Sequence, residues 1–182
     1  LLLAARESIL SLFGGMGPSE VNYSIHPNLQ EKAGAFVTLT IKGSLRGCIG
    51  YIFSPMTLFD TVISAAKQAA MHDPRFTPLA EEEVDKISIE VSVLTPPEPL
   101  KSYSDIKIGV HGLLLEESEH RAVLLPQVAT EHNFDVNQFL SALCDKAWLP
   151  PGTWRERQLP LKVFTSIVFS ESGKRKITYV PD

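Results

Sequence analysis

The sequence predicts an α+β fold. Its β-branched, apolar segments are mostly joined by short polar turns, which pairs them as antiparallel or mixed sheets. Helical patterns stand apart from the strands instead of alternating with them one by one, which argues against a doubly wound parallel sheet. The bulk numbers agree: 182 residues, 44% apolar and 21% charged, suit one large domain or two small subdomains with a real core.

The elements follow in chain order. Residues 2–13 read as a helix with Leu2, Ala5, Ile9 and Leu12 on one face, ended by Gly14, Gly15 and Gly17-Pro18. A dinucleotide fingerprint needs glycines after a strand and before a helix, so the Gly-Gly-Met-Gly run is a loop. Residues 35–42 and 45–53 read as a hairpin turning at Gly43-Ser44. Residues 57–71 are helical, with Leu58, Val62, Ala65 and Ala69 on one face and Thr57 as N-cap. Residues 81–86 form a helical turn. Residues 87–94 alternate strictly, setting Ile87, Ile89, Val91 and Val93 against a wet face of Ser88, Glu90 and Ser92. Pro96, Pro97 and Pro99 stiffen the exit, and 100–110 is an irregular connection. A second hairpin, 112–116 and 121–125, turns around Glu117-Ser118-Glu119-His120. Helices follow at 127–132, entered from Pro126, and at 136–147, capped by Asp135. Residues 148–152 form a rigid loop, and 161–169 with 176–180 form a last hairpin.

Several function classes are excluded on composition. The net charge is −4 and the basic run Lys174-Arg175-Lys176 is too short for a nucleic-acid footprint, so neither nucleic acid nor an anionic membrane is expected as a partner. No stretch approaches the roughly 18 apolar residues of a membrane helix. The apolar start is soon interrupted by Arg6 and Glu7 and reads as a trimmed N-terminus, not a signal peptide. Two cysteines, Cys48 and Cys144, do not make a disulfide framework, and a reduced, cytoplasmic protein is expected. CxxC, HxxxH and HExxH spacings are missing, as are a P-loop and a GxSxG elbow, so no metal or other cofactor is expected.

One segment stands out as candidate chemistry. Gly47 and Gly50 remove side chains around Cys48, which would open the backbone to a ligand. Arg46, two residues earlier, would share a strand face with Cys48 and favour its thiolate. The alternative is a buried structural cysteine. Glu90 is a candidate proton acceptor or an exposed carboxylate on a wet face. His111, between Gly109 and Gly112, is a candidate general base or a turn histidine. In Asp73-Pro74-Arg75-Phe76, which follows a helix, Asp73 caps or turns the chain and Arg75 pairs with it. Cys144 sits among Phe139, Leu140 and Leu143 and reads as packing.

The segment Leu45-Arg46-Gly47-Cys48-Ile49-Gly50 resembles the hallmark of the AMMECR family. Other motifs match in order: Phe36-Val37-Thr38-Leu39, Asp73-Pro74-Arg75-Phe76, Ile89-Glu90-Val91-Ser92-Val93-Leu94, His111-Gly112-Leu113, Leu124-Leu125-Pro126-Gln127-Val128-Ala129, Phe139-Leu140, and Cys144-x-Lys146-Ala147 followed by Trp154. The resemblance covers nearly the whole of 1–182. It implies a single domain of two intertwined α+β subdomains, with the hallmark beside a cleft between them. It also implies a system with a Memo-type protein and a radical-SAM protein as partners. On this footing Cys48, Glu90 and His111 are candidate catalytic residues, and Arg46, Gly47, Asp73 and Arg75 candidate substrate-binding residues. An enzyme with Cys48 as nucleophile or redox thiol, a module binding a small molecule or peptide, and a scaffold all remain open. Where family members often carry Lys-Ala-Gly, this chain has Lys146-Ala147-Trp148.

Overall fold

A computed structural model of the chain describes residues 1–171. The return strand expected at 176–180 and the basic run at 174–176 lie outside them. The chain divides into two compact units: Leu1–Leu94 with the segment that begins at Val168, and Thr95–Ile167. The helices and two antiparallel sheets make an α+β fold.

The first unit is built on a sheet of order β2-β1-β3-β8, from β1 (Ala35–Ile41), β2 (Ser44–Tyr51), β3 (Ile87–Leu94) and β8 (Ser166–Ser170). β1 and β2 turn at Lys42-Gly43, not Gly43-Ser44: both residues have positive φ (51° and 82°), and Ile41 pairs with Ser44. This is the two-residue turn whose twist matches the strands. One sheet face packs on α1 (Leu2–Leu10) and α2 (Leu58–Met71) through Val37, Leu39, Ile89, Val91, Ile9, Val62 and Ala65. Thr57 caps α2, its side chain accepting from the Asp60 amide. Gly47 makes this packing possible: a Cβ there would lie 2.2 Å from the Ala69 carbonyl of α2.

The second unit has a sheet of order β4-β7-β5-β6, from β4 (Glu98–Pro99), β5 (Gly112–Glu117), β6 (His120–Leu124) and β7 (Leu161–Phe164). Its core joins Leu113, Leu115 and Leu161 to Phe139, Leu140, Leu143 and Cys144 of α4 (Val136–Lys146). A capping box of Asp135 and Gln138 starts α4. α3 (Pro126–Glu131) matches expectation, whereas β4 and α5 (Thr153–Glu156) were not expected. The strand expected over 161–169 is broken at Thr165, whose amide donates to Thr95 Oγ1 while its carbonyl accepts from the Thr95 amide. That exchange ends β7 and lets β8 enter the other sheet. After α4, Trp148 takes the left-handed conformation (φ 59°) and is 91% exposed. Glycine is favoured at that position after a helix, so the departure from Lys-Ala-Gly leaves a bulky side chain in a strained place.

Candidate functional site

Pairing across three strands places Cys48 opposite Thr38, and Thr38 opposite Glu90. The three side chains therefore share one row on the sheet face away from α2. Thr38 Oγ1 lies 3.2 Å from Cys48 Sγ. Cys48 is partly exposed. The next row along holds Gly50, Phe36 and Ser92. The Phe36 ring occupies the space that a Gly50 side chain would need. Ser92 is buried, not wet, and its hydroxyl has no hydrogen-bond partner among the described residues.

The turn after α2 brings a second layer of chemistry. Asp73 is buried, and its Oδ2 accepts from the Cys48 amide (2.8 Å) and from Arg75 Nη2 (2.7 Å). Its Oδ1 accepts from Arg75 Nε (3.0 Å) and from the Arg75 amide (3.1 Å). Arg75 Nη2 also reaches the Cys48 carbonyl at 3.3 Å, and the guanidinium lies over the Phe76 ring. These donors hold the Asp73 carboxyl well below the ordinary carboxylate range, the Arg75 side chain contributing most.

Two expectations about Arg46 and Gly47 are corrected. Leu39 pairs with Gly47 but Thr40 pairs with Leu45, so Arg46 is the extra residue of a β-bulge and leaves the regular alternation. Its guanidinium turns to Glu83 (2.9 and 2.7 Å) and to the carbonyls of Thr77 and Pro78 (3.0 and 3.3 Å), not to Cys48. Arg46 in turn brings the Glu83 carboxyl down to about 2. The cation that acts on Cys48 is Arg75. Gly47 gives its space to α2 and not to a ligand. The expected low thiol is corrected too: burial pushes Cys48 upward, outweighing the Thr38 hydrogen bond and the charge of Arg75, while Asp73 and Glu90 push it further up.

His111 belongs to the second unit. Its Nδ1 accepts from the Lys107 amide at 3.2 Å, closing a turn with Gly109 at positive φ, so the neutral ring carries its proton on Nε2. Burial and Lys107 lower its pKa. Cys144 is fully buried in the second core, and desolvation raises its thiol. Thr38 was missed as a site residue, because its place opposite Cys48 needs both the turn at Lys42-Gly43 and the bulge at Arg46. Among the described residues no group of three or more His, Cys, Asp or Glu could hold a metal ion, and no helix is long and apolar enough to cross a membrane.

The AMMECR1 family model matches residues 2–169, so it spans every motif described above. The chain belongs to the AMMECR1 family. Similar curated proteins come from archaea. One from Methanothermobacter thermautotrophicus is 47% identical over 150 residues, 79% of this chain and 78% of that protein. Protein Mbar_A1807 of Methanosarcina barkeri is 42% identical over 153 residues, 81% of this chain and 76% of that protein. A crystal structure of the uncharacterized protein PH0010 from Pyrococcus horikoshii superposes with a TM-score of 0.87 at 37% identity, covering 97% of this chain and 94% of that one.

Proposed function

We propose that the first unit carries a thiol-centred site acting on a small molecule or a peptide, with Cys48 as nucleophile or redox thiol. The supporting observation is what surrounds one partly exposed cysteine: Thr38 Oγ1 lies on its sulfur, the Arg75 guanidinium fixed by Asp73 binds its carbonyl and acts on the thiol by charge, and Glu90 stands one strand beyond Thr38. With its pKa raised by burial, the thiol is protonated at neutral pH, so attack requires its proton to leave as the new bond forms. Glu90 is the carboxylate of that row, one strand beyond Thr38, whose hydroxyl lies against the sulfur. Asp73 positions the Cys48 amide and Arg75, while Arg46 and Gly47 hold the strand in place. His111 plays no part in this reading, because its Nδ1 is committed to its own turn.

A second reading draws on the raised thiol. A neutral Cys48 hydrogen-bonded to Thr38 suits a binding module that holds a metabolite, or a peptide of a Memo-type partner, without turnover. The two separate by experiment. Native protein and its Cys48→Ser and Cys48→Ala variants are incubated with a metabolite extract. Bound compounds, covalent adducts and consumed compounds are then read by mass spectrometry. A component consumed or captured covalently by the native protein, and held unreacted by Cys48→Ser, supports the enzyme. Retention by the native protein with neither adduct nor consumption supports the module. Consumption by Cys48→Ser equal to that of the native protein sinks the thiol role.

A further inference from the structure

Arg75 differs from an ordinary surface arginine in how it is held. Nε and Nη2 are locked onto the two oxygens of Asp73, whose side chain is 2% exposed, while the Arg75 side chain itself is 55% exposed. Nη2 is bound again by the Cys48 carbonyl, and the Phe76 ring lies under the group. Nη1 has no partner among the described residues. Arg75 therefore offers outward a fixed pair of N–H donors, held against the backbone of the residue that bears the one partly exposed thiol and acting on that thiol by charge, with little rotamer freedom left to lose.

We infer that Arg75 is the oxyanion receptor of the Cys48 site and that the molecule meeting the thiol carries a carboxylate. This rests on the thiol-centred reading above and adds its substrate class. A carboxylate fits better than a phosphate for a reason of charge. Asp73 already neutralises the one positive charge of Arg75, so a dianion would find little net charge to hold it. A monoanion accepting from Nη1 uses aimed donors more than net charge.

Two isosteric alkylating reagents test it. Iodoacetate and iodoacetamide both form an S–CH₂ bond as the C–I bond breaks, with iodide leaving and the thiol proton released, and the methylene they attach bears a carboxylate in one and a neutral amide in the other. The ratio of their rates at Cys48 in native protein is divided by the ratio for the same cysteine in unfolded protein, read by peptide mass. A guided anion should raise this normalised ratio about tenfold or more, the scale of one charge-assisted hydrogen bond. Arg75→Gln should return it close to one, and Arg75→Lys should keep part of the gain. Because Arg75→Gln leaves Asp73 buried without its counter-ion, the double variant Asp73→Asn/Arg75→Gln repeats the measurement with a neutral pair. A normalised ratio near one in native protein, or one unchanged in both Gln variants, overturns the inference while leaving the thiol reading intact. If neither reagent modifies Cys48 before unfolding, the thiol reading itself falls, and this inference with it.

Discussion

Two guanidinium groups lie beside the Leu45–Gly50 segment, and each is joined to a carboxylate through Nε and Nη2. Arg46 uses its other donors on the carbonyls of Thr77 and Pro78 and is largely covered. Arg75 is fastened along one edge by a buried Asp73 and keeps the other edge exposed. The same fork thus serves as a clamp in one place and as a fixed, presented donor in the other. What separates them is the number of N–H groups left over after the fold is satisfied. Sequence proximity to Cys48 favoured Arg46, and the spatial arrangement favours Arg75.

The largest expected effect comes from removing a counter-ion from a buried charge. Arg75→Ala strands Asp73 and should destabilise the first unit by about 3 kcal/mol, as broken buried pairs do. Arg46→Ala leaves the more accessible Glu83 and should cost about 1 kcal/mol. Urea unfolding of both variants decides the matter, and equal losses would erase the contrast between clamp and presented donor.

Acid stability follows from the same pairs. Both carboxyls are held below their unfolded values, so their contribution is fully present above about pH 4–5. It is lost as pH falls from there toward their folded values, near 2 for Glu83 and lower for Asp73. Asp73→Asn should therefore show a flatter loss of stability between about pH 4 and pH 2 than the parent. An unchanged acid limb, followed by circular dichroism, would remove Asp73 from the account.

Thiol labelling sharpens the comparison further. Cys48 should react with an alkylating reagent in native protein, with a midpoint above that of a free thiol, whereas Cys144 should react only on unfolding. Arg75→Ala should move the Cys48 midpoint higher still, and Arg46→Ala should leave it in place. The smallest effect is expected from Glu90→Gln, which removes the weakest of the charges acting on the sulfur and should lower the midpoint.

The elements were legible in the sequence wherever periodicity was strong. Thr57 and Asp135 cap their helices as read, and β3 spans the alternating segment 87–94. The site was harder to read because it depends on register. A turn at Gly43-Ser44 would set Leu39 across from Cys48, and the observed turn at Lys42-Gly43 with a bulge at Arg46 sets Thr38 there instead. One residue of slip exchanges a core leucine for a hydroxyl beside the sulfur and turns Arg46 away. Residue types alone do not encode such a slip. Ser92 was misread because alternation tells which face a side chain takes, not what covers that face. Likewise, the glycines of the hallmark read as openings, and one of them is filled by a helix carbonyl.

The β8 strand joins the first sheet only after residues 95–165 have been made. Arg6, on the first helix, meets Glu171 across 165 residues of chain. At roughly 5–20 residues per second of synthesis, the β3 edge waits on the order of several seconds or more for its neighbour. During that interval a nascent chain carries Ile87–Leu94 with one side unpaired, an invitation to strand exchange with other chains. Folding on the ribosome thus has a built-in exposed stage, and its length is set by the time needed to translate residues 95–165.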